Sequence, residues 1–366
     1  MRGGSISNRQ QATEKTSGKS GAGNEMKRVA AFLFVLAAMG IAVFQAEAWA
    51  KEAGKEVVVY TSLDQVFSEP ILKEFERATG TRVRAVYDVE ASKTTGLVNR
   101  LLAERSRPRC DVFWNSEVGR TIVLKEKGAL APYRSPSAEG IPPEFRDPQD
   151  HWTGFAGRAR ILIYNKTLLG KEELPSSIFE LTQGRLKGKV AMGYPLFGTT
   201  ATHVAAWYVS LGKEKAEEYL RALKANGLVV VDGNAVVRDL VAAGQLPMGF
   251  TDTDDAHVAV MAGKPVGVIY PDREGMGTFL IPNTVALIQG APHSQEGKRL
   301  IDYLLSEEVE SRLAFGDSAQ MPLRGGVKRP AHMPEISSVP WMKVDYQKVA
   351  ERMDEAARFC QELFIR

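Results

Sequence analysis

Three aspartates, Asp252, Asp254 and Asp255, lie within four positions of one another, directly after the apolar residues around Phe250. Like charges this close repel one another unless a cation lies among them. The spacing lacks the glycine and the distal glutamate of a calcium-binding loop, which excludes an EF-hand. Two interpretations stay open: the aspartates begin a helix, where a cap and the helix dipole favour acidic residues, or they bind a cationic ligand.

A second polar stretch, from Gly198 to Thr202, opens a predicted helix with several threonines. Hydroxyl groups and unpaired backbone N–H groups at the positive end of a helix dipole together form a seat for an anion. A simple helix cap would need only one hydroxyl group. We therefore predict that Thr199 and Thr200 contact a ligand.

Polar residues also follow two predicted strands. Ser62 and Asp64 follow the first strand, and Ser116 and Glu117 follow the third. Side chains at the carboxyl ends of parallel strands face the crevice in which ligands bind in such folds. Contact with a ligand is thus one interpretation of these four residues, and capping of the next helix is the other.

Arg158 and Arg160 alternate along a predicted strand and therefore share one face of it. A guanidinium group donates two parallel hydrogen bonds to a carboxylate or a phosphate. Arg158 is therefore a candidate partner for an oxyanion of the ligand, and an ion pair within the protein is the alternative.

Short β-branched runs alternate with segments of helical spacing from Val57 onward. This alternation predicts an α/β fold of two lobes, each with a mixed, mostly parallel sheet flanked by helices and with the ligand cleft between them. We predict that residues 51–157 and 271–323 form the N-terminal lobe, and that residues 158–270 and 324–366 form the C-terminal lobe. The predicted helices are 66–79, 94–106, 200–211, 213–226, 234–243, 294–305, 309–315 and 346–364.

The first 50 residues have the pattern of an export signal. Lys27 and Arg28, after Met26, precede an apolar run, 29–44, and small residues lie at a cleavage position before residue 51. We predict that residues 1–50 are a leader and signal peptide, cleaved after Ala48 or Ala50. Their removal leaves 41 basic and 41 acidic residues, so the charge balance gives no support for nucleic-acid binding.

Motifs of known enzyme chemistry are missing from the sequence. It has no P-loop, no nucleophile elbow and no dinucleotide-binding glycine motif after a strand, and its five histidines lack metal-ligand spacing. Cys110 and Cys360 lack the spacing of a zinc site and are expected to be buried thiols, although an exported protein could also join them in a disulfide. We predict a binding protein that has no resident cofactor and is not an enzyme.

The chain resembles the periplasmic solute-binding proteins of ABC importers, in the branch that includes ferric-ion-binding proteins and relatives for phosphonates and sugar phosphates. The resemblance implies two lobes that close over a small ligand, and a closed form that docks on a membrane permease. It implies a periplasmic protein that is expected to be monomeric. The alternative functions are a sensory binding protein and an enzyme on the same fold. The stretches that carry the resemblance are VVVYTSLD, FERATGTRV, CDVFWNSE, GRARILIYN, LKGKVAMGYPLFGTTATH and GKRLIDYLLSEEVE, between residues 57 and 315.

Ferric members of this family hold the metal with two adjacent tyrosines, a histidine and a glutamate, and hold an accompanying anion with an arginine and a hydroxyl-rich helix start. The resemblance places Arg158, Thr199 and Thr200 on the anion half of that site. Asp254 and Asp255 stand where the tyrosines would be.

The acidic half of the implied site differs from the ferric pattern. Asp64 lies near the position of the histidine, and Glu117 matches the glutamate after a shift of one residue. Ferric iron is a hard ion that accepts carboxylates, so Asp254, Asp255 and Glu117 are its candidate ligands. A small molecule with an anionic head and an ammonium group, such as 2-aminoethylphosphonate, would fit the same residues.

Overall fold

The computed structural model describes residues 55–88, 94–331 and 333–365, so the predicted export signal lies outside the described residues. Within these ranges, we find no helix with the length and apolar character needed to cross a membrane.

Strands and helices alternate along the described chain, as predicted for an α/β protein. The strands are β1 (Glu56–Thr61), β2 (Arg82–Tyr87), β3 (Val112–Asn115), β4 (Leu130–Ala131), β5 (Thr153–Asn165), β6 (Val190–Gly193), β7 (Val229–Val231), β8 (Met248–Asp252), β9 (Val266–Ile269) and β10 (Leu280–Ile288). The helices of eight or more residues are α1 (Gln65–Thr79), α2 (Thr95–Ala103), α3 (Gly119–Glu126), α4 (Gly198–Leu211), α5 (Lys213–Ala225), α6 (Asn234–Ala242), α7 (Thr253–Met261), α8 (Ser294–Leu304), α9 (Glu307–Phe315) and α10 (Tyr346–Ile365).

The first half of the fold is a mixed sheet. β1 lies between β2 and β3 and is parallel to both, and β10 returns antiparallel to β3. The β-branched sequence of β1 suits such a sheet, and its neighbour α1 buries Ile71, Leu72 and Phe75 on one face before it ends at Gly80 in a left-handed conformation. Three parallel strands therefore end at the same edge of this sheet.

β5 joins the two halves of the sheet. Its first part pairs with β10, and its second part pairs with β8 on one side and with β9 on the other. Twelve of its thirteen residues are buried, as expected for a strand with neighbours on both sides. In the second half, β6 is parallel to both β8 and β7, so these three strands also end at one edge.

The C-terminal helix α10 packs against elements of both halves. Glu355 forms an ion pair with Lys213 at the start of α5, whereas Asp354 lies 3.5 Å from Arg120 of α3. Cys360 on this helix and Cys110 before β3 are both buried and free.

The α/β fold with a sheet in each half agrees with the predicted class. The sequence analysis missed α3 and described α7 only as a candidate helix start, because their apolar spacing is weak. The predicted boundaries between the lobes stay a prediction.

Candidate functional site

Three helices of the second half begin at the same edge of the sheet. α4 follows β6, α6 follows β7 and α7 follows β8, and these three strands are parallel neighbours. The N-cap residues of the three helices form no side-chain hydrogen bond with the first turn. Their N-terminal N–H groups and the positive ends of their dipoles therefore point toward one region.

This region is a small cavity of about 30 Å³, which widens to about 440 Å³ when the open space at its mouth is included. The turns after β1 and β3 of the first half contribute Asp64 and Ser116 to it, and β5 contributes Arg158. The full lining is Asp64, Ser116, Arg158, Tyr194, Phe197, Gly198, Thr199, Thr200, Asp232, Gly233, Asn234, Asp252, Asp254 and Asp255. The cavity is thus built from turns that follow five strands, together with one arginine of β5.

Asp252 accepts hydrogen bonds on both of its carboxylate oxygens. One of its oxygens accepts a hydrogen bond from Arg160 Nη1 at 2.7 Å, and the other accepts from Thr199 Oγ1 at 2.7 Å and from Asn234 Nδ2 at 3.1 Å. Burial raises the pKa of this carboxyl group, but the guanidinium groups of Arg160 and Arg158 outweigh it and hold the pKa below its usual value. Asp252 therefore ties β5, α4 and α6 together as a charged group.

Asp254 and Arg158 form a second buried pair, with Nη1 and Oδ2 3.1 Å apart. Arg158 Nη2 donates a hydrogen bond to the carbonyl oxygen of Ser116. Its Nε atom is buried and has no hydrogen-bond partner. Burial and the charges of Asp252 and Asp64 raise the pKa of Asp254, against the lowering effect of Arg158.

Asp255 forms an ion pair with Arg238. Arg238 Nη1 lies 3.2 Å from Asp255 Oδ1, and Thr251 Oγ1 donates to the other oxygen at 3.0 Å. Each aspartate of the cluster is thus paired with an arginine of the protein, which explains how the three like charges coexist. The sequence analysis considered a ligand cation and a helix start, and it did not predict this triple pairing.

The two threonines of the predicted anion seat bond within the protein. Thr199 Oγ1 donates to Asp252, and Thr200 Oγ1 donates to Asn234 Oδ1 at 3.2 Å. Both hydroxyl oxygens lie 3.3 Å from Arg160. The donors that remain for an anion at this position are therefore backbone N–H groups of the α4 and α6 starts, and the ligand contacts of the two hydroxyl groups stay a prediction.

Ser62 and Glu117 lie beside the cavity and do not line it. Ser62 Oγ donates to Asn115 at 2.6 Å and so holds the turn after β3. Glu117 is fully buried and accepts hydrogen bonds from Thr202 Oγ1 of α4 at 2.7 Å and from the backbone N–H of Arg120. Burial raises the pKa of Glu117. In this structure Glu117 connects the two halves of the fold, and its predicted role as a metal ligand stays untested.

Several lining residues were missed in the sequence analysis. Asp232 and Asn234 follow β7 and begin α6, which repeats the strand-turn-helix pattern that pointed to the other turns. Tyr194 and Phe197 lie in the turn between β6 and α4, before the threonines that we predicted to contact a ligand. The same rule, applied to every strand end, would have found all four residues.

Three carboxylates of the cavity lie close enough together to bind one metal ion. Asp252, Asp254 and Asp255 can each offer one oxygen within 4.8 Å of the others. Each oxygen of these three groups already accepts at least one hydrogen bond from the protein, so a metal would share the carboxylates with protein donors.

Residues 122–349 match the sequence profile of a family described as bacterial extracellular solute-binding proteins. A putative 2-aminoethylphosphonate-binding periplasmic protein of Salmonella typhimurium is 30% identical over 261 residues, which span 69% of this chain and 73% of the relative. Iron uptake protein A1 of a Synechocystis strain is 26% identical over 285 residues, which span 75% of this chain and 77% of the relative.

Among solved structures, iron-bound HitA from Pseudomonas aeruginosa superposes with a TM-score of 0.77. The alignment covers 85% of this chain and 99% of that chain, with 22% sequence identity. At this identity the likeness establishes the fold, and it leaves the ligand open.

Proposed function

The chain belongs to the bacterial extracellular solute-binding protein family, and from that premise we propose that its cavity captures a small zwitterion. The proposed ligand carries a phosphonate or phosphate group and an ammonium group, and the protein delivers it to an ABC permease. The family consists of solute-binding components of transport, so the prediction of a protein that is not an enzyme is confirmed.

The observation that carries this proposal is the joint presence of both charge types in one cavity. Five carboxylates and one guanidinium group line it. Arg160 and Arg238 pair with Asp252 and Asp255 from outside the lining, so the carboxylates remain in excess. A cationic group of the ligand would offset that excess of negative charge.

The anionic group has a separate place in the same cavity. The starts of α4 and α6 lie on adjacent parallel strands, and neither has a side-chain cap. Helix N-termini favour phosphate-like groups because their N–H groups and their dipoles point toward the anion. Arg158 also lines the cavity, and its buried Nε atom has no hydrogen-bond partner within the protein.

Isothermal titration of the purified protein with 2-aminoethylphosphonate, phosphoethanolamine and inorganic phosphate tests this proposal. We expect both amines to bind more tightly than phosphate, because phosphate lacks the cation. Asp254→Asn should weaken both amines by about 1.5–3 kcal/mol, the range for an interaction with a charged group. The control is Asp317→Asn, which changes an exposed aspartate outside the lining. If no phosphorylated or phosphonylated amine binds, the proposal is wrong.

Ferric iron is the second candidate, and the three clustered aspartates favour it. Carboxylates are suitable ligands for this hard ion, and a bound anion at the helix starts would complete its coordination. Titration with ferric citrate distinguishes the two candidates. An affinity for iron that disappears in Asp254→Asn/Asp255→Asn, with no response to either amine, would replace the zwitterion with iron.

Export and delivery complete the proposal. Residues 1–50 would direct the chain to the periplasm and be removed there, and the monomeric loaded protein would dock on its permease. N-terminal sequencing of the protein from a periplasmic fraction tests the first step. A mature chain that begins near Lys51 would agree with the predicted cleavage, whereas an intact Met1 would contradict it.

A further inference from the structure

Two aromatic rings line the same cavity, in the turn between β6 and α4. The ring centroids of Tyr194 and Phe197 lie 5.7 Å apart, with 25° between their planes, so the rings are stacked. In a stacked pair, the outer face of each ring stays uncovered by the other ring. Both residues are half-buried, so each can offer part of its surface to a ligand.

Sheet order places this aromatic turn between two acidic turns. β6 lies between β8 and β7, so the turn after it lies between the turns after those strands. The turn after β8 carries the three clustered aspartates, and the turn after β7 carries Asp232. Aromatic faces attract cations through their quadrupole, and the neighbouring carboxylates add an attraction of the same sign.

Every oxygen of the clustered carboxylates already accepts a hydrogen bond from the protein, so part of their acceptor capacity is used before a ligand binds. Arg158 and the backbone N–H of Asp255 donate to the two oxygens of Asp254. Arg238 and Thr251 do the same for Asp255, and three donors share the oxygens of Asp252. A primary ammonium group needs acceptors for its N–H groups, whereas a quaternary ammonium group has no N–H to satisfy.

We infer that the cavity selects a ligand whose cation is an N-methylated ammonium group, held against Tyr194 and Phe197 among the carboxylates. The ligand's phosphate or phosphonate group lies at the starts of α4 and α6. The inference rests on the proposed function, because it specifies the cation of the zwitterion proposed there.

Phosphocholine and phosphoethanolamine form a matched pair of probes, since they share the phosphate ester and the two-carbon chain and differ by three methyl groups. Titration calorimetry on the unchanged protein should give phosphocholine the higher affinity, by about 3- to 30-fold, the range that corresponds to a cation–π contact. Equal affinity, or a preference for phosphoethanolamine, would overturn the inference. This comparison needs no variant and therefore does not depend on how a variant folds.

Phe197→Leu removes the aromatic face and keeps an apolar side chain. We expect the affinity for phosphocholine to fall by about 3- to 30-fold and the affinity for phosphoethanolamine by less than about 2-fold, so that the preference for phosphocholine disappears. Phe179→Leu is the control, because Phe179 is exposed and lies outside this cavity. An equal loss for both probes would mean that the ring only packs, and would contradict the inference.

The probe series separates failure of this inference from failure of the proposed function. Binding of phosphoethanolamine and 2-aminoethylphosphonate without phosphocholine overturns the inference alone. No binding of any phosphorylated or phosphonylated amine overturns both. A sugar phosphate that binds more tightly than phosphocholine, and whose affinity falls in Phe197→Leu, would mean that the rings contact the apolar face of a sugar. That result would also overturn the inference.

Discussion

Replacing Asp252 with asparagine removes the charge that neutralises Arg160 inside the fold. Arg160 is fully buried, and its Nη1 lies 2.7 Å from Asp252. Loss of one partner from a buried ion pair costs about 3–5 kcal/mol, because the remaining charge is left without compensation. Arg160 keeps hydrogen bonds to Thr199, Thr200 and Asn234, so we expect a loss near the lower bound, about 3 kcal/mol.

Urea unfolding, followed by tryptophan fluorescence, measures this loss. Trp207 is a suitable reporter, because it is buried against Phe250 on the strand that carries Asp252. Asp255→Asn is the matched control. Its partner Arg238 is partly exposed, so the cost should stay at about 1 kcal/mol or less.

The effect of Asp252→Asn should depend on pH. The pKa of Asp252 is lower in the folded protein than in the unfolded chain, where it is about 4. The contribution of this carboxylate to the free energy of unfolding is therefore fully present above about pH 4. That contribution disappears as the pH falls through the lower, folded pKa. The stability gap between the wild type and Asp252→Asn should therefore narrow below about pH 4. A gap no larger than that of Asp255→Asn, or one that stays constant in acid, would refute the reasoning.

Two further predictions concern a buried hydrogen bond and the backbone conformation of a glycine. Thr202→Val removes a hydroxyl donor from the buried carboxyl group of Glu117 and should lower the free energy of unfolding by about 1–3 kcal/mol, and an unchanged urea midpoint would contradict this. Gly277 has φ +86°, and an added Cβ would lie 2.5 Å from the backbone of Trp341, so Gly277→Ala should destabilise more than Gly263→Ala, which has φ +67° and open space. Equal losses in urea unfolding would mean that backbone strain acts alone.

Much of the cavity could be predicted from sequence, because its position follows from a local rule. β-branched runs followed by amphipathic segments predict parallel strands with helices between them, and such strands end at one edge of a sheet. That rule identified the turns that carry Asp64 and Ser116, whereas a threonine-rich helix start marked Thr199 and a cluster of like charges marked Asp254. It missed the turn with Asp232 only because no cluster of like charges or hydroxyl groups marked it.

The partners of the charged residues could not be predicted in this way. Arg160 and Asp252 are 92 positions apart in sequence, and Arg158 and Asp254 are 96 apart. They meet because β8 pairs antiparallel with β5 in a register that brings Arg160 opposite Asp252. A shift of one residue in that register would turn the side chains to the opposite face.

By itself, the sequence determined the α/β class, the strand ends that carry polar residues and the resemblance to a family of binding proteins. These follow from patterns within a few residues of one another. Only the tertiary structure decided that the cations among the three aspartates are arginines of the protein, and that an aromatic pair lies between acidic turns. Pairing of distant strands sets both arrangements, and it depends on register and sheet order rather than on local sequence.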